Sequence, residues 1–252
     1  LGDITSNNMM RTIYLSRGLY DSAFYYFQER LEKGKSPFTL MRIGQLYMDL
    51  GQNDSARVYL EQAFLRDPQL TDLKVELIEA SLHIGDYDAA RQYIDLYLPD
   101  DSNEEIIVST RHYFLAIIYA REGNWAAALD EVNSYNLGGI FAAHVFQMNG
   151  MIPEARSIFM QSEVFYKDEL EKDRYPRSYL SIAACRLGLG DTEEALTLVK
   201  QAADEGYTEY EKLENSLYLT SLVDDPLFVK SLELVKKNRE EQLEQVFRLA
   251  SR

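Results

Sequence analysis

A glycine followed five residues later by an alanine recurs along this chain, at Gly18/Ala23, Gly51/Ala56, Gly85/Ala90, Gly123/Ala128, Gly150/Ala155 and Gly190/Ala195. The alanines are spaced by a period centred on about 34 residues, which marks an array of repeated supersecondary units. Around each signature the apolar residues return every three or four positions. Leu40, Ile43, Leu46, Tyr47 and Leu50 precede Gly51, and Ala56, Tyr59, Leu60, Ala63 and Phe64 follow it. That period is helical on both sides of the glycine. Each unit reads as a helix, a short turn and a second helix.

Elementary physics accounts for the small residues. A glycine at the end of the first helix takes the left-handed conformation that closes it without a side-chain penalty. Asp86, Asn124 and Asp191 follow their glycines directly and suit the cap of the next helix, while Pro153 suits a first helical turn. An alanine at the crossing lets paired helices approach closely, where a larger side chain would force them apart. Neither helix of a pair buries its apolar face alone, so the units must stack.

Composition narrows the functional classes. A chain of 252 residues that is 46% hydrophobic buries a sizeable core, and a formal net charge of -15 repels phosphate backbones and anionic lipid surfaces. No nucleic-acid partner is expected. The single cysteine, Cys185, forms no internal disulfide, and the longest apolar run, YFLAIIYA at 113–120, is too short to cross a bilayer. No membrane insertion is expected, and a cytoplasmic or periplasmic location fits equally. The start at Leu1, without methionine or a signal-peptide pattern, reads as a fragment or a processed product.

Catalytic constellations are not found. His83, His112 and His144 fall in three different repeats without HExxH spacing, and there is neither a GxxxxGK[ST] loop nor a GxSxG elbow. Glu104-Glu105, Glu193-Glu194 and Glu240-Glu241 are sequence neighbours, which diverge by about 100° on a helix and share no reaction centre. Cys185 lies in the apolar AACRLG stretch and reads as a buried thiol, and Trp125 as a packing residue. Neither an enzyme nor a cofactor or metal site is expected.

Residues 37–70 resemble a tetratricopeptide repeat, with Ile43-Gly44 where the family has Leu-Gly, then Tyr47, Ala56, Leu60, Ala63 and Pro68 at the family's spacing. The resemblance implies an all-α, right-handed α-solenoid of about six helix-turn-helix repeats, with units near 4–36, 37–70, 71–108, 109–135, 136–175 and 176–206. The polar stretches 99–105 and 167–178 read as loops or a solvated helix extension. Residues 207–252 lack the glycine-alanine pair and resemble the helical segment that ends such arrays in bacterial proteins. Asp225-Pro226-Leu227-Phe228 reads as a helix start, and Phe228, Leu232, Val235, Leu243, Val246 and Ala250 share a stripe. That stripe suits a cap on the last repeat, or a docking or homodimerisation helix.

The resemblance further implies a protein-interaction scaffold whose first helices line a concave groove that binds a peptide or an amphipathic helix. Carried onto this sequence, the groove-facing positions are Phe38, Met41, Gln45, Met48 and Asp49, then Val75, Glu79, Leu82 and His83. Further along come Tyr113, Ile117 and Arg121, then Ile140, His144 and Met148, with Arg177, Leu180, Ala184 and Leu187 in the sixth unit. These are not the lysine-rich and asparagine-rich residues with which some relatives grip acidic C-terminal tails. An apolar, methionine-containing groove punctuated by acids suits a basic-apolar partner. The alternative is the sensory or regulatory portion of a larger bacterial signalling or transcription-regulating protein.

Overall fold

The computed structural model describes residues 19–34, 36–172 and 175–250, so Gly18 and the side chain of Ala250 lie outside the described residues. Among the described residues the chain forms thirteen α-helices, one 3-10 turn and no strand. Helix α1 (Tyr20–Lys33) is followed by five pairs. These are α2 (Pro37–Asp49) with α3 (Asn53–Arg66), α4 (Thr71–His83) with α5 (Tyr87–Tyr97), and α6 (Glu105–Arg121) with α7 (Trp125–Ser134). Then come α8 (Gly139–Met148) with α9 (Ile152–Lys172), and α10 (Pro176–Gly188) with α11 (Thr192–Asp204). The chain continues through α12 (Tyr210–Glu214), the 3-10 turn Thr220–Leu222 and α13 (Pro226–Ala250).

One piece of turn chemistry ends the first helix of every pair. Gly51, Gly85, Gly123, Gly150 and Gly190 all take φ between 70° and 92°. The residue after each glycine donates its N–H five residues back: Gln52 to Tyr47 at 2.7 Å, Asp86 to Ser81 at 2.9 Å, Asn124 to Tyr119 at 2.8 Å, Met151 to Phe146 and Asp191 to Arg186, both at 2.9 Å. Orphan carbonyls are thereby satisfied at each helix end. Asp86, Asn124 and Asp191 then open the second helix, their side chains accepting from the backbone N–H of Ala89, Ala127 and Glu194. Each cap contributes about 1 kcal/mol.

The signature alanines sit where the paired helices cross, and none of Ala23, Ala56, Ala90, Ala128, Ala155 and Ala195 is more than 2% exposed. Gly44 marks an equally close approach, since a Cβ there would lie 2.8 Å from Leu60 Cγ. A larger residue at these crossings separates the helices and typically costs about 1–3 kcal/mol.

One unit limit differs from the sequence reading. The fourth unit opens with α6 at Glu105, four residues before position 109, because the polar stretch is already helical there. The polar stretch from 167 begins as helix: α9 continues to Lys172, its surface held by i,i+4 pairs of Lys167 with Glu163 at 2.6 Å and Lys172 with Asp168 at 2.5 Å.

Helix α13 begins where Asp225-Pro226 implies, with the Asp225 carboxylate accepting from the Leu227 N–H at 2.8 Å. At a rise of about 1.5 Å per residue its length is roughly 37 Å, enough to leave the last repeat and return to the first. Phe228 and Val235 are buried in the core of α10 and α11, whereas Val246, with Leu243 packed beside it, joins the core of α1, α2 and α3. Gln242 Oε1 accepts from the Tyr20 N–H at 3.3 Å. The helix caps the last repeat and straps the array end to end. The described part of the apolar stripe, from Phe228 to Val246, packs within the chain.

Candidate peptide-binding groove

Residues 207–222 cross the concave face lined by the first helices. Short and without regular repeat structure, this segment buries its side chains into the array instead of stacking as a further unit. Leu213, Leu219 and Leu222 join the core of α10 and α11, and Leu217 and Tyr218 pack on the core of α6, α7 and α8. Polar contacts fix its course. Arg177 Nε donates to Glu209 Oε1 at 3.0 Å, Lys212 Nζ donates to Asp49 Oδ1 at 3.1 Å, and Arg121 donates to the backbone carbonyl of Asn215. The ring of His144 stands edge-on between Trp125 and Tyr218, with centroids at 5.3 and 5.6 Å.

The charges form two clusters. Glu209 contacts both Arg177 and Lys212, and Glu211 pairs with Arg239 of α13, whose guanidinium lies over the Tyr210 ring at 5.0 Å. Burial alone would raise the Glu209 carboxyl, but Arg177 and Lys212 outweigh it and hold it well below the usual carboxylate range. Burial likewise opposes the Lys212 ammonium, and Glu209 and Asp49 more than compensate, keeping it protonated. Desolvation lowers both His83 and His144, so each imidazole is neutral at pH 7.

The groove positions named from the sequence divide into three sets. Phe38, Met41, Gln45, Met48 and Asp49 are no more than 8% exposed, so none faces an open groove. Phe38 is buried in the core of α1, α2 and α3 beneath the Arg42 guanidinium at 4.5 Å, and Gln45 joins Arg42 to Glu76 of α4. Val75, Leu82 and Ile117 pack half-buried on the core between α4, α5 and α6, and Glu79 is half-buried beside them on α4. The third set meets the tail or the solvent: His83 and Arg121 reach the surface, Ile140 and His144 lie at the tail, and Tyr113 and Met148 are 40% and 47% exposed.

An open part of the groove survives over α4 and α6. A cleft of about 440 Å³ is bordered by Leu82, His83, Ile117 and Arg121 on the array and by Lys212 and Tyr218 on the tail. Of the acids expected to punctuate the groove, Asp49 is paired with Lys212, while Arg121, Lys212 and Glu211 border the opening.

Glu209, Glu211, Lys212, Tyr218 and Arg239 were not among the residues selected by repeat spacing. The available signal was the loss of the glycine-alanine pair after residue 206, which marks the tail as something other than a further repeat. Cys185 is fully buried, and burial, reinforced by Glu163, pushes its thiol up to about 12. Among the described residues no group of three or more His, Cys, Asp and Glu side chains is placed to hold a metal ion, and no helix is long and apolar enough to cross a membrane.

Helix pairs closed by the same turn and stacked around a concave face define a helical-repeat solenoid. The tetratricopeptide repeat family model matches residues 47–107, and over that stretch the chain is similar to the tetratricopeptide repeat. Among solved structures, a tetratricopeptide repeat protein from Parabacteroides merdae ATCC 43184 is 15% identical, with 96% of this chain and 99% of that chain covered and a TM-score of 0.45. MamA is 18% identical, with 76% and 91% covered and a TM-score of 0.37. The TPR2AB domain of yeast Sti1, solved in complex with pHSP90, is 14% identical, with 92% and 99% covered and a TM-score of 0.36. No curated protein matches the sequence significantly.

Proposed function

We propose that the chain is a protein-interaction scaffold that binds a peptide or short helix of a partner along its concave face. The observation that carries this reading is the convergence of Asp49, Arg121, His144 and Arg177, on four different first helices, upon one non-repeat segment of chain. A surface that holds such a segment through its side-chain charges, an aromatic edge and a backbone carbonyl has the chemistry needed to hold another. The same face would serve if the chain is the sensory portion of a larger signalling or transcription-regulating protein.

The test is calorimetry with a panel of basic-apolar, acidic and mixed-charge helical peptides, comparing the native chain with an Ile117→Asp/Arg121→Glu variant. Both positions border the open cleft, so the variant alters the binding face, whereas substitution of fully buried Met41 would test folding instead. Binding on the order of micromolar is expected for at least one peptide, with a loss of tenfold or more in the variant. Equal binding by both proteins, with circular dichroism unchanged, would place the working surface elsewhere.

A further inference from the structure

We infer that the partner segment accepted by the groove copies the chain's own tail: a turn of helix bearing a carboxylate, an ammonium three residues later and a leucine immediately after it. The inference rests on the scaffold reading and names the partner's chemistry. In the tail those roles belong to Glu209, Lys212 and Leu213.

The array meets each charge of this segment with one of opposite sign, and the two charges also contact each other. Arg177 on α10 holds the carboxylate and Asp49 on α2 holds the ammonium, while Leu213, 1% exposed, enters the core of α10 and α11. Residues three apart share a helix face, so one turn presents both charges together. A segment with the two charges exchanged would set a carboxylate against Asp49 and an ammonium against Arg177, so direction as well as composition is selected. A purely basic peptide leaves Arg177 without its carboxylate, and a purely acidic one meets Asp49.

The built-in occupant is seated in a way that allows exchange. Helix α12 has five residues, too few to be stable without its surroundings. A cavity of about 140 Å³ remains beneath the tail, bordered by Ile140, Leu180 and Leu219, so its packing there is incomplete. The larger cleft over α4 and α6 gives an incoming segment a place to start, and Arg121, already bound to a backbone carbonyl, grips any sequence. The tail therefore acts as an intramolecular competitor that lowers the apparent affinity for a partner in proportion to its occupancy.

The experiment measures fluorescence anisotropy of a labelled peptide with the sequence of residues 207–220, and of its charge-exchanged counterpart with lysine at the Glu209 position and glutamate at the Lys212 position. Each is titrated with the native full chain, with the Lys212→Gln chain, and with the full Asp49→Lys/Arg177→Glu chain. The tail-like peptide should bind the Lys212→Gln chain at least tenfold more tightly than the native chain, and the exchanged peptide at least tenfold more weakly than the tail-like one. The Asp49→Lys/Arg177→Glu chain should reverse that preference. If this double variant does not fold, hydrogen exchange on the native chain replaces it: saturating tail-like peptide should speed exchange of the 210–216 amides. Equal binding of the two peptides, or no effect on those amides, overturns the inference. Binding of a basic-apolar peptide that is lost in Ile117→Asp/Arg121→Glu, without binding of the tail-like peptide, overturns this inference and leaves the scaffold reading standing. Binding of neither the tail-like peptide nor any peptide of the helical panel overturns both.

Discussion

The Lys212 ammonium lies 3.1 Å from the Asp49 carboxylate, joining positions 163 residues apart. Asp49 ends the first helix of the second repeat, and Lys212 belongs to the tail beyond the last one, so their contact closes the array across its own concave face. The Asp49 side chain is 10% exposed and that of Lys212 36% exposed, which places the pair between a screened surface bridge and a buried one. A double-mutant cycle with Asp49→Asn and Lys212→Met, read by urea unfolding, should give a coupling of about 1 kcal/mol. Strict additivity would mean that this pair contributes nothing to holding the tail.

Gly51 combines two constraints that Gly85 has singly. Both take positive φ, 70° and 75°, but a Cβ at Gly51 would lie 2.7 Å from a Glu211 carboxylate oxygen and 2.9 Å from Arg239, whereas a Cβ at Gly85 meets nothing within 4 Å. Gly85→Ala should cost about 1 kcal/mol, the left-handed penalty alone. Gly51→Ala should cost measurably more and should also disturb the Glu211–Arg239 pair. Matched urea midpoints for the two variants would show that the strap yields freely at this point.

The repeat architecture was legible because each of its devices is local. The turn glycine, the capping Asp86, Asn124 and Asp191, and the crossing alanine all act within a dozen residues of chain. The groove was only partly legible. Repeat spacing assigns Phe38, Met41 and Gln45 to the first-helix face, but whether that face is open depends on what lies over it or packs beside it. Here α1, α4, the tail and the strap take that space. Contacts such as Arg177 with Glu209, or Val246 with the first repeats, join elements far apart in sequence and leave no periodic trace. The start of α13 was readable from Asp225-Pro226, while its destination was not.

Acid should loosen the tail in two stages. His144 is held neutral by burial between Trp125 and Tyr218, so its folded pKa lies below the unfolded value of about 6.5. As pH falls below about 6.5 the unfolded chain takes up a proton that the folded chain refuses, and stability declines. His83 shifts in the same direction, through desolvation and then Lys212. Glu209, depressed to about 2, adds stability above its unfolded pKa of about 4.3 that is lost as pH falls toward 2. Urea midpoints measured from pH 7.5 to 5 should fall in the native chain and fall less in His144→Phe. Identical slopes would remove His144 from the account.

The Cys185 thiol is pushed up to about 12 and is fully buried, so it should resist a thiol-specific disulfide reagent at pH 8 in the folded chain and react promptly in denaturant. The rate without denaturant should follow the population of opened chain, so destabilising variants such as Gly51→Ala should react faster in proportion to their loss of stability. Rapid reaction of the native chain would contradict the burial of α10 against α9 and α11.

Val246 is the test of the strap itself. It is 0% exposed, yet its neighbours in the core are residues of α1, α2 and α3, more than 170 positions away in the sequence. Val246→Ala removes two buried methyl groups and should cost roughly 1–3 kcal/mol if that end of α13 is docked. The damage should also be asymmetric. Hydrogen exchange should quicken in α1 and in the last turns of α13, while α10 and α11, capped by Phe228 and Val235, keep their protection. Uniform exchange across the array would instead show that the strap couples every repeat into one cooperative unit, and unchanged exchange in α1 would show that the first repeats do not depend on it.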